Sequence, residues 1–406
     1  MYDAELTPSQ AGVLKSIKVV DADTHYTEPH DLWTSRVSGR MKDLVPHVVR
    51  QANGRDRWLF NGDEILTPNA STASSILKNG EKDNFWEVDI SNGPQIEEVH
   101  EASWNIKARV EMMDKLGVSA QIAYPNVLGF GAQRLMKLAD RSLALDICAI
   151  YNDAMAEAQG ESGGRFFPQA LVPFWDVASS VKEVERARTK LKLTGIAMCP
   201  EPHLIGLPDL QDRYWDPLWE VCQDLDIPIN FHIGASPSTE DLFKDVWPSH
   251  DRHRRWVIMC ALLESNQSRI LANLVCGDLL VRFPKTKWVS VESGIGWIPF
   301  ILERLEYQLY ESDPHDPALV DYNRPTPMEL FKRQVYSCFW FEKSGPERLL
   351  DVIGIDNVLF ESDFPHPTCL YPSPVERAFK SLERWGPEAQ RKVMGGNAAK
   401  LYNLPN

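Results

Sequence analysis

Short apolar runs recur along the chain, and segments of helical period separate them. Ile17-Lys18-Val19-Val20 opens the series. It is followed by runs at 120–124, 166–172, 195–198, 228–232, 287–292, 335–339 and 357–360. Between them, the stretch 103–116 puts Ile106, Val110, Met113 and Leu116 on one face, and Gly117 stops it. The same reasoning predicts helices over 135–158, 177–193, 214–225, 268–283, 297–310, 345–353 and 386–402. Many of the strands are β-branched and apolar throughout, as befits a parallel sheet covered on both faces. About eight such units most simply close into an α/β (β/α)8 TIM barrel. A doubly wound open sheet is the alternative, although no Gly-rich phosphate turn follows the first strand.

One region breaks the alternation. Residues from about 34 to 100 lack sustained helical period, and Gly, Asn, Ser and Pro are frequent in them. Within them Arg57-Trp58-Leu59-Phe60 and Glu64-Ile65-Leu66 flank the turn Asn61-Gly62-Asp63 and predict a hairpin. An unstructured stretch of that length is unusual inside a compact fold. We therefore expect a single barrel domain over 1–406 whose insertion after strand 1 covers the mouth.

Composition narrows the partners. The 406 residues are 43% hydrophobic and 25% charged, with a formal net charge of -14. That balance argues against nucleic acid or an anionic membrane, which call for a basic stripe. No apolar run approaches the length of a membrane span, and the N-terminus does not read as a signal peptide. Seven scattered Cys with no C-x-x-C pair read as buried thiols in a reducing compartment, so a cytoplasmic location is expected.

Candidate chemistry collects where a barrel places it, at the C-terminal ends of strands. Strand 1 ends in Asp21-Ala22-Asp23-Thr24-His25, with Glu28 three residues on. Two apart on a strand, Asp23 and His25 share a face. By itself this is either half of a divalent-metal site or an acidic strand end beside a hydrogen-bonded His. Strand 5 ends in His232, strand 6 in Glu292-Ser293-Gly294, and strand 8 in Glu361-Ser362-Asp363-Phe364-Pro365-His366. Carboxylates at an apolar barrel mouth need a counter-charge, and Arg and Lys are scarce at these ends. A cation is the natural compensation.

These motifs, in this order, resemble the amidohydrolase superfamily. More narrowly they resemble the amidohydrolase-related group that includes non-oxidative aromatic decarboxylases and C–C hydrolases. Arg109-x-x-Met112-Met113-Asp114, Asn230-Phe231-His232-Ile233-Gly234 and Arg282-Phe283-Pro284 carry the likeness along with the strand ends. The resemblance implies one divalent ion, Mn or Zn, held by Asp23, His25, His232 and Asp363. Hydrolytic relatives with two metals carry a Lys on strand 4, where this chain has Met198-Cys199-Pro200-Glu201. The decarboxylases place a His at the start of the strand 6 Gly motif, where Ser293 stands after Glu292.

The first functional reading is a metal-dependent hydrolase or decarboxylase of a small carboxylated, aromatic metabolite. Asp363 would accept a proton, and Glu292 or His366 would deliver one. Arg109, His253 and Trp297 are candidates for substrate contact, each with a plainer role in a helix salt bridge, a solvated helix start or the core. A second reading follows from the excess of carboxylates: Glu28 and Glu292 as ligands to a second ion, Fe or Mn, in a dinuclear oxygenase. A third is a non-catalytic barrel that the metal only stabilises. Relatives imply a homo- or hetero-oligomer of related barrels.

Overall fold

Val20–His25 forms β1, buried along its whole length, and the barrel is built outward from it. The structure, a computed structural model, describes residues 5–83, 93–239, 247–312 and 323–405. In chain order the remaining strands are β2 (His47–Arg50), β3 (Asp56–Phe60), β4 (Glu64–Thr67), β5 (Ala120–Tyr124), β6 (Phe166–Pro168) and β7 (Ala170–Leu171). They continue with β8 (Ile196–Ala197), β9 (Ile229–His232), β10 (Trp288–Val291), β11 (Val335–Phe339) and β12 (Val358–Phe360).

All pairings around the barrel are parallel, in the orders β1-β5-β6 and β7-β8-β9-β10-β11-β12. The two sheets join where one predicted strand, 166–172, is interrupted at Gln169. Its amide turns inward, accepting from Asn230 Nδ2 at 2.9 Å, while Asn230 Oδ1 accepts from the hydroxyls of Tyr124 and Tyr402 at 3.0 and 2.6 Å. A buried polar interior thus ties several strands together, with its members satisfying one another. The other junction closes the ring: Asp363 N–H donates to Asp23 O at 3.0 Å and His25 N–H to Phe364 O at 2.7 Å. The fold is the expected TIM barrel.

Several elements differ from the sequence expectation. The segment 135–158 begins as a 3-10 turn, Gln133–Lys137, before the helix Arg141–Glu161 capped by Asp140. A second helix, Arg252–Leu263, follows strand β9 with only Met259 buried, so it lacks the apolar stripe that makes a helix legible. The insertion holds the predicted hairpin and a third strand: β2, β3 and β4 form an antiparallel sheet. Among the described residues no helix is long and apolar enough to cross a membrane.

The C-terminal helix packs against the start of β1 through Gly395. A Cβ there would lie 2.1 Å from Lys18 O, a backbone atom that cannot yield cheaply. Gly395→Ala should therefore destabilise the fold by about 1–3 kcal/mol through overpacking. Thermal unfolding of the variant, with Gly396→Ala as the milder neighbour, checks this.

Candidate active site

The closing seam of the barrel brings the polar strand ends together. β1 and β5 slip register between Asp21 and Thr24, where three steps on β1 match two on β5. Asp23 and His25 sit at and just beyond this irregularity, both fully buried. Glu292 and Asp363 follow β10 and β12 with φ of +50° and +59°. Left-handed backbone at a non-glycine residue costs about 1–2 kcal/mol and persists where the surroundings enforce it. At both positions, beyond the end of the strand, it turns a carboxylate over the barrel mouth.

The donor atoms form one cluster. Those of Asp23, His25, His232 and Glu292 lie within 4.8 Å of one another, as do those of His25, Glu292, Asp363 and His366. His25 Nε2 is 3.8 Å from Asp23 Oδ1, 3.6 Å from Asp363 Oδ1 and 3.0 Å from His232 Nε2. His232 Nε2 is 3.2 Å from Glu292 Oε2. The two groups share His25 and Glu292, so their donor atoms gather around one region of the barrel mouth. His232 Nδ1 donates to its neighbour's carbonyl, Ile233 O, at 2.5 Å. That hydrogen bond leaves the Nε2 lone pair facing inward, the tautomer a metal needs.

Electrostatics favours a positive charge at this point. Asp23 Oδ1 and Oδ2 are buried with no hydrogen-bond partner among the described residues. Burial lifts the Asp23 carboxyl, an effect partly offset by His232. Burial, reinforced by Asp363 and Asp23, lifts Glu292 well above the usual carboxylate range. His25 is held well below the usual imidazole range by burial and then by His366 and His232. A neutral imidazole facing orphaned carboxylate oxygens is a donor set for a divalent cation. The two imidazole Nε2 atoms, 3.0 Å apart, are close enough to face one ion.

His366 sits beside this centre. Its ring stacks on His25 at 3.7 Å between centroids, and Nδ1 is 3.0 Å from Asp363 Oδ1. Nε2 meets Asn126 Oδ1 at 3.1 Å, and Asn126 Nδ2 donates to Tyr26 O, which fixes the orientation of the amide. Phe130 walls the other side, 4.2 Å from His232 and 5.0 Å from His25 between centroids. Above lies a cavity of about 810 Å³ lined in part by Glu292, His366, Phe130 and the insertion residues Thr67, Asn69 and Thr72.

Four expected site residues lie elsewhere. Glu28 is outside the cluster: its Oε1 accepts from the backbone N–H groups of Asn126 and Val127 at 2.8 and 3.0 Å, anchoring the turn that presents Asn126. Arg109 is fully buried beneath β1, donating to Ala102 O and to His25 O, each at 2.5 Å, and it does not line the cavity. It holds the His25 backbone rather than an anion. Trp297 donates to Ser293 O at 2.7 Å, and His253 is exposed on its helix; neither lines the cavity. Two neighbours were not singled out in the sequence. Asn126 carried no signal beyond closing a strand, and Glu361, whose Oε2 accepts from Glu292 N–H at 3.0 Å, stood at a strand end in plain view.

An eight-stranded parallel barrel with Asp, His and Glu gathered at its C-terminal mouth defines a barrel enzyme with a divalent-metal donor set. The chain belongs to the amidohydrolase family, whose sequence model matches residues 20–404. It is 23% identical over 370 residues to the 2-amino-3-carboxymuconate-6-semialdehyde decarboxylase of Dictyostelium discoideum, covering 90% of this chain and 92% of that protein. Its fold is similar to an amidohydrolase from Mycobacterium avium subsp. paratuberculosis, with TM-score 0.73, 23% identity and coverage of 95% and 98%. It is also similar to a 5-carboxyvanillate decarboxylase from Novosphingobium aromaticivorans solved with manganese, with TM-score 0.66, 17% identity and coverage of 96% and 97%.

Glu28 offers a test that leaves the metal cluster untouched. Burial raises its carboxyl from 4.5 to about 7. The unfolded chain releases this proton first, so the contribution to stability is full below about pH 4.5 and is lost as pH rises through 7. Glu28→Gln keeps an acceptor for Asn126 and Val127 but removes the titration. Denaturant unfolding of the metal-free variant between pH 4.5 and 7 should lose a slope approaching ~1.4 kcal/mol per pH unit. An unchanged slope would show that Glu28 does not titrate on unfolding.

Proposed function

We propose that this enzyme is a divalent-metal-dependent, non-oxidative decarboxylase of a small aromatic carboxylic acid. One observation carries the reading: of the clustered donors, Glu292 and His366 also line the cavity, so the centre opens onto substrate through two groups able to carry a proton. The decarboxylase relatives support the same chemistry, and the manganese in one of them makes manganese the expected ion. Asp23, His25, His232 and Asp363 would hold it, with Glu292 adjacent.

When bound, the cation would anchor the substrate's oxygen atoms and stabilise the negative charge that develops as the carboxylate is lost. The carbon–carbon bond breaks, carbon dioxide leaves, and the ring carbon keeps the electron pair and takes one proton. Glu292 and His366 are the side chains placed to deliver it. His366 is braced between Asp363 and Asn126, so its ring is fixed relative to a bound substrate. Phe130 supplies an apolar face that packs against an aromatic ring and keeps water from the reacting carbon. After β8, buried Met198 and Cys199 stand where hydrolytic relatives carry the lysine that bridges two metals, which disfavours binuclear hydrolysis.

Metal analysis of purified protein should find one manganese-type ion per chain, with Asp23→Ala and His232→Ala reducing it to background. A panel of hydroxylated benzoates, 2,6-dihydroxybenzoate and 5-carboxyvanillate included, should yield carbon dioxide without oxygen. In deuterium oxide the product should carry one deuterium at the vacated carbon. Glu292→Gln should lower kcat by about 10²-fold or more. Turnover that needs dioxygen, with iron in the protein, would replace this reading with the oxygenase.

A further inference from the structure

One side of the cavity is cationic, with Arg134, Lys137 and Arg141 on and just after the 3-10 turn Gln133–Lys137. Arg134 is turned back onto the protein: its Nη1 donates to Asn126 O and Val127 O at 2.8 and 3.1 Å. Glu28 Oε1 accepts from the N–H groups of the same two residues at 2.8 and 3.0 Å. All four backbone polar groups of Asn126 and Val127 are thus held by one cation and one anion.

The two charges act across a peptide plane. In a trans peptide the C=O and N–H point to opposite edges. The Asn126–Val127 peptide presents its oxygen to Arg134 and its N–H to Glu28, so each end of its dipole meets the opposite charge. Glu28 comes from the loop after β1, fully buried, and Asn126 from the loop after β5. What the clamped turn carries is the Asn126 amide. Its Nδ2 donates to Tyr26 O at 3.0 Å, which leaves Oδ1 to accept from His366 Nε2 at 3.1 Å, in the loop after β12.

We infer that Arg134 and Glu28 are positioning residues for proton delivery by His366, acting through Asn126. The inference rests on the decarboxylase reading and deepens it by naming what holds the ring in place. A turn released from either charge lets Asn126 move, and the His366 ring then turns away from the reacting carbon. Proton transfer is sensitive to such a shift: a misplacement of about 1 Å can cost about 10²-fold in rate.

The test is steady-state turnover of 2,6-dihydroxybenzoate and 5-carboxyvanillate by the manganese-loaded protein, with manganese content and deuterium uptake measured alongside. Arg134→Met keeps the bulk of the stem without the guanidinium, and should lower kcat about tenfold while KM stays within about twofold. Asn126→Ala, which leaves the backbone clamp in place, should give the same loss. So should Glu28→Ala, whereas Glu28→Gln still offers an acceptor to both N–H groups and should restore kcat to within about threefold. In a His366→Ala background Arg134→Met should change kcat by less than about twofold, because the group it positions is gone. Deuterium uptake in fragments covering 124–129 should rise in Arg134→Met and Glu28→Ala, with manganese retained. A raised KM at unchanged kcat makes Arg134 a substrate contact and overturns the positioning role. So does a tenfold loss that persists in the His366→Ala background, or unchanged deuterium uptake. Absence of turnover by the wild type overturns the decarboxylase reading and proton delivery with it.

Discussion

The seam between the first and last barrel strands is the constraint on which the site depends. Two main-chain hydrogen bonds, Asp363 N–H to Asp23 O and His25 N–H to Phe364 O, close the ring of strands. Three of these residues, Asp23, His25 and Asp363, also supply side chains of the donor cluster. Barrel closure therefore fixes the backbone from which Asp23, His25 and Asp363 reach the centre. Beneath the seam, Arg109 grips His25 O, and Asp21 accepts from the backbone and hydroxyl of Ser362 at 2.8 and 2.6 Å. Both Asp21 oxygens are engaged by Ser362, so this carboxyl, which burial lifts to about 7, is a clasp on the seam.

That seam concentrates negative groups in a dry place. Asp23, Glu292, Glu361 and Asp363 meet at the mouth, and burial raises the carboxyls of Glu292 and Glu361 well above their usual range. Charged groups so placed are stable only with compensation, because the desolvation cost of each ion reaches several kcal/mol. The cation expected here thus has a structural as well as a chemical reason. Around it, the turn held by Glu28 sets Asn126, which sets His366, and the insertion sheet supplies part of the cavity wall. Function is layered outward from the seam: donors on the strands, the proton carriers at their tips, and the cationic side of the cavity on the turn before a long helix.

Much of this was legible in the residue order. Eight apolar runs alternating with helical segments predicted the parallel barrel, because strands covered on both faces must be apolar throughout. The hairpin at 57–66 was readable from its Asn-Gly turn. Asp23, His25, His232, Glu292, Asp363 and His366 were candidates because barrel chemistry is confined to strand ends, and the structure gathers all six. Less legible were features that depend on a partner distant in sequence. Arg109 has the look of a substrate contact, but its guanidinium is satisfied by carbonyls and by the Phe364 ring at 4.7 Å. Glu28 has the spacing of a ligand, yet two backbone N–H groups claim its oxygen first. The break at Gln169 arises from an inward polar contact that no local propensity encodes.

Periodicity and residue type, by themselves, determined the fold class, the strand order around the barrel and the side chains available at its mouth. These follow from short-range rules: which residues are apolar, with what period, and where each run stops. Only the tertiary structure decided which carboxylates meet and which are consumed as anchors. It also decided that Asn126 braces His366, and that Lys137 and Arg141 line the cavity with no acidic partner among the described residues. Those outcomes depend on through-space distances of a few ångströms between segments up to hundreds of residues apart. At that range hydrogen bonding and desolvation, not local sequence, settle what each side chain does.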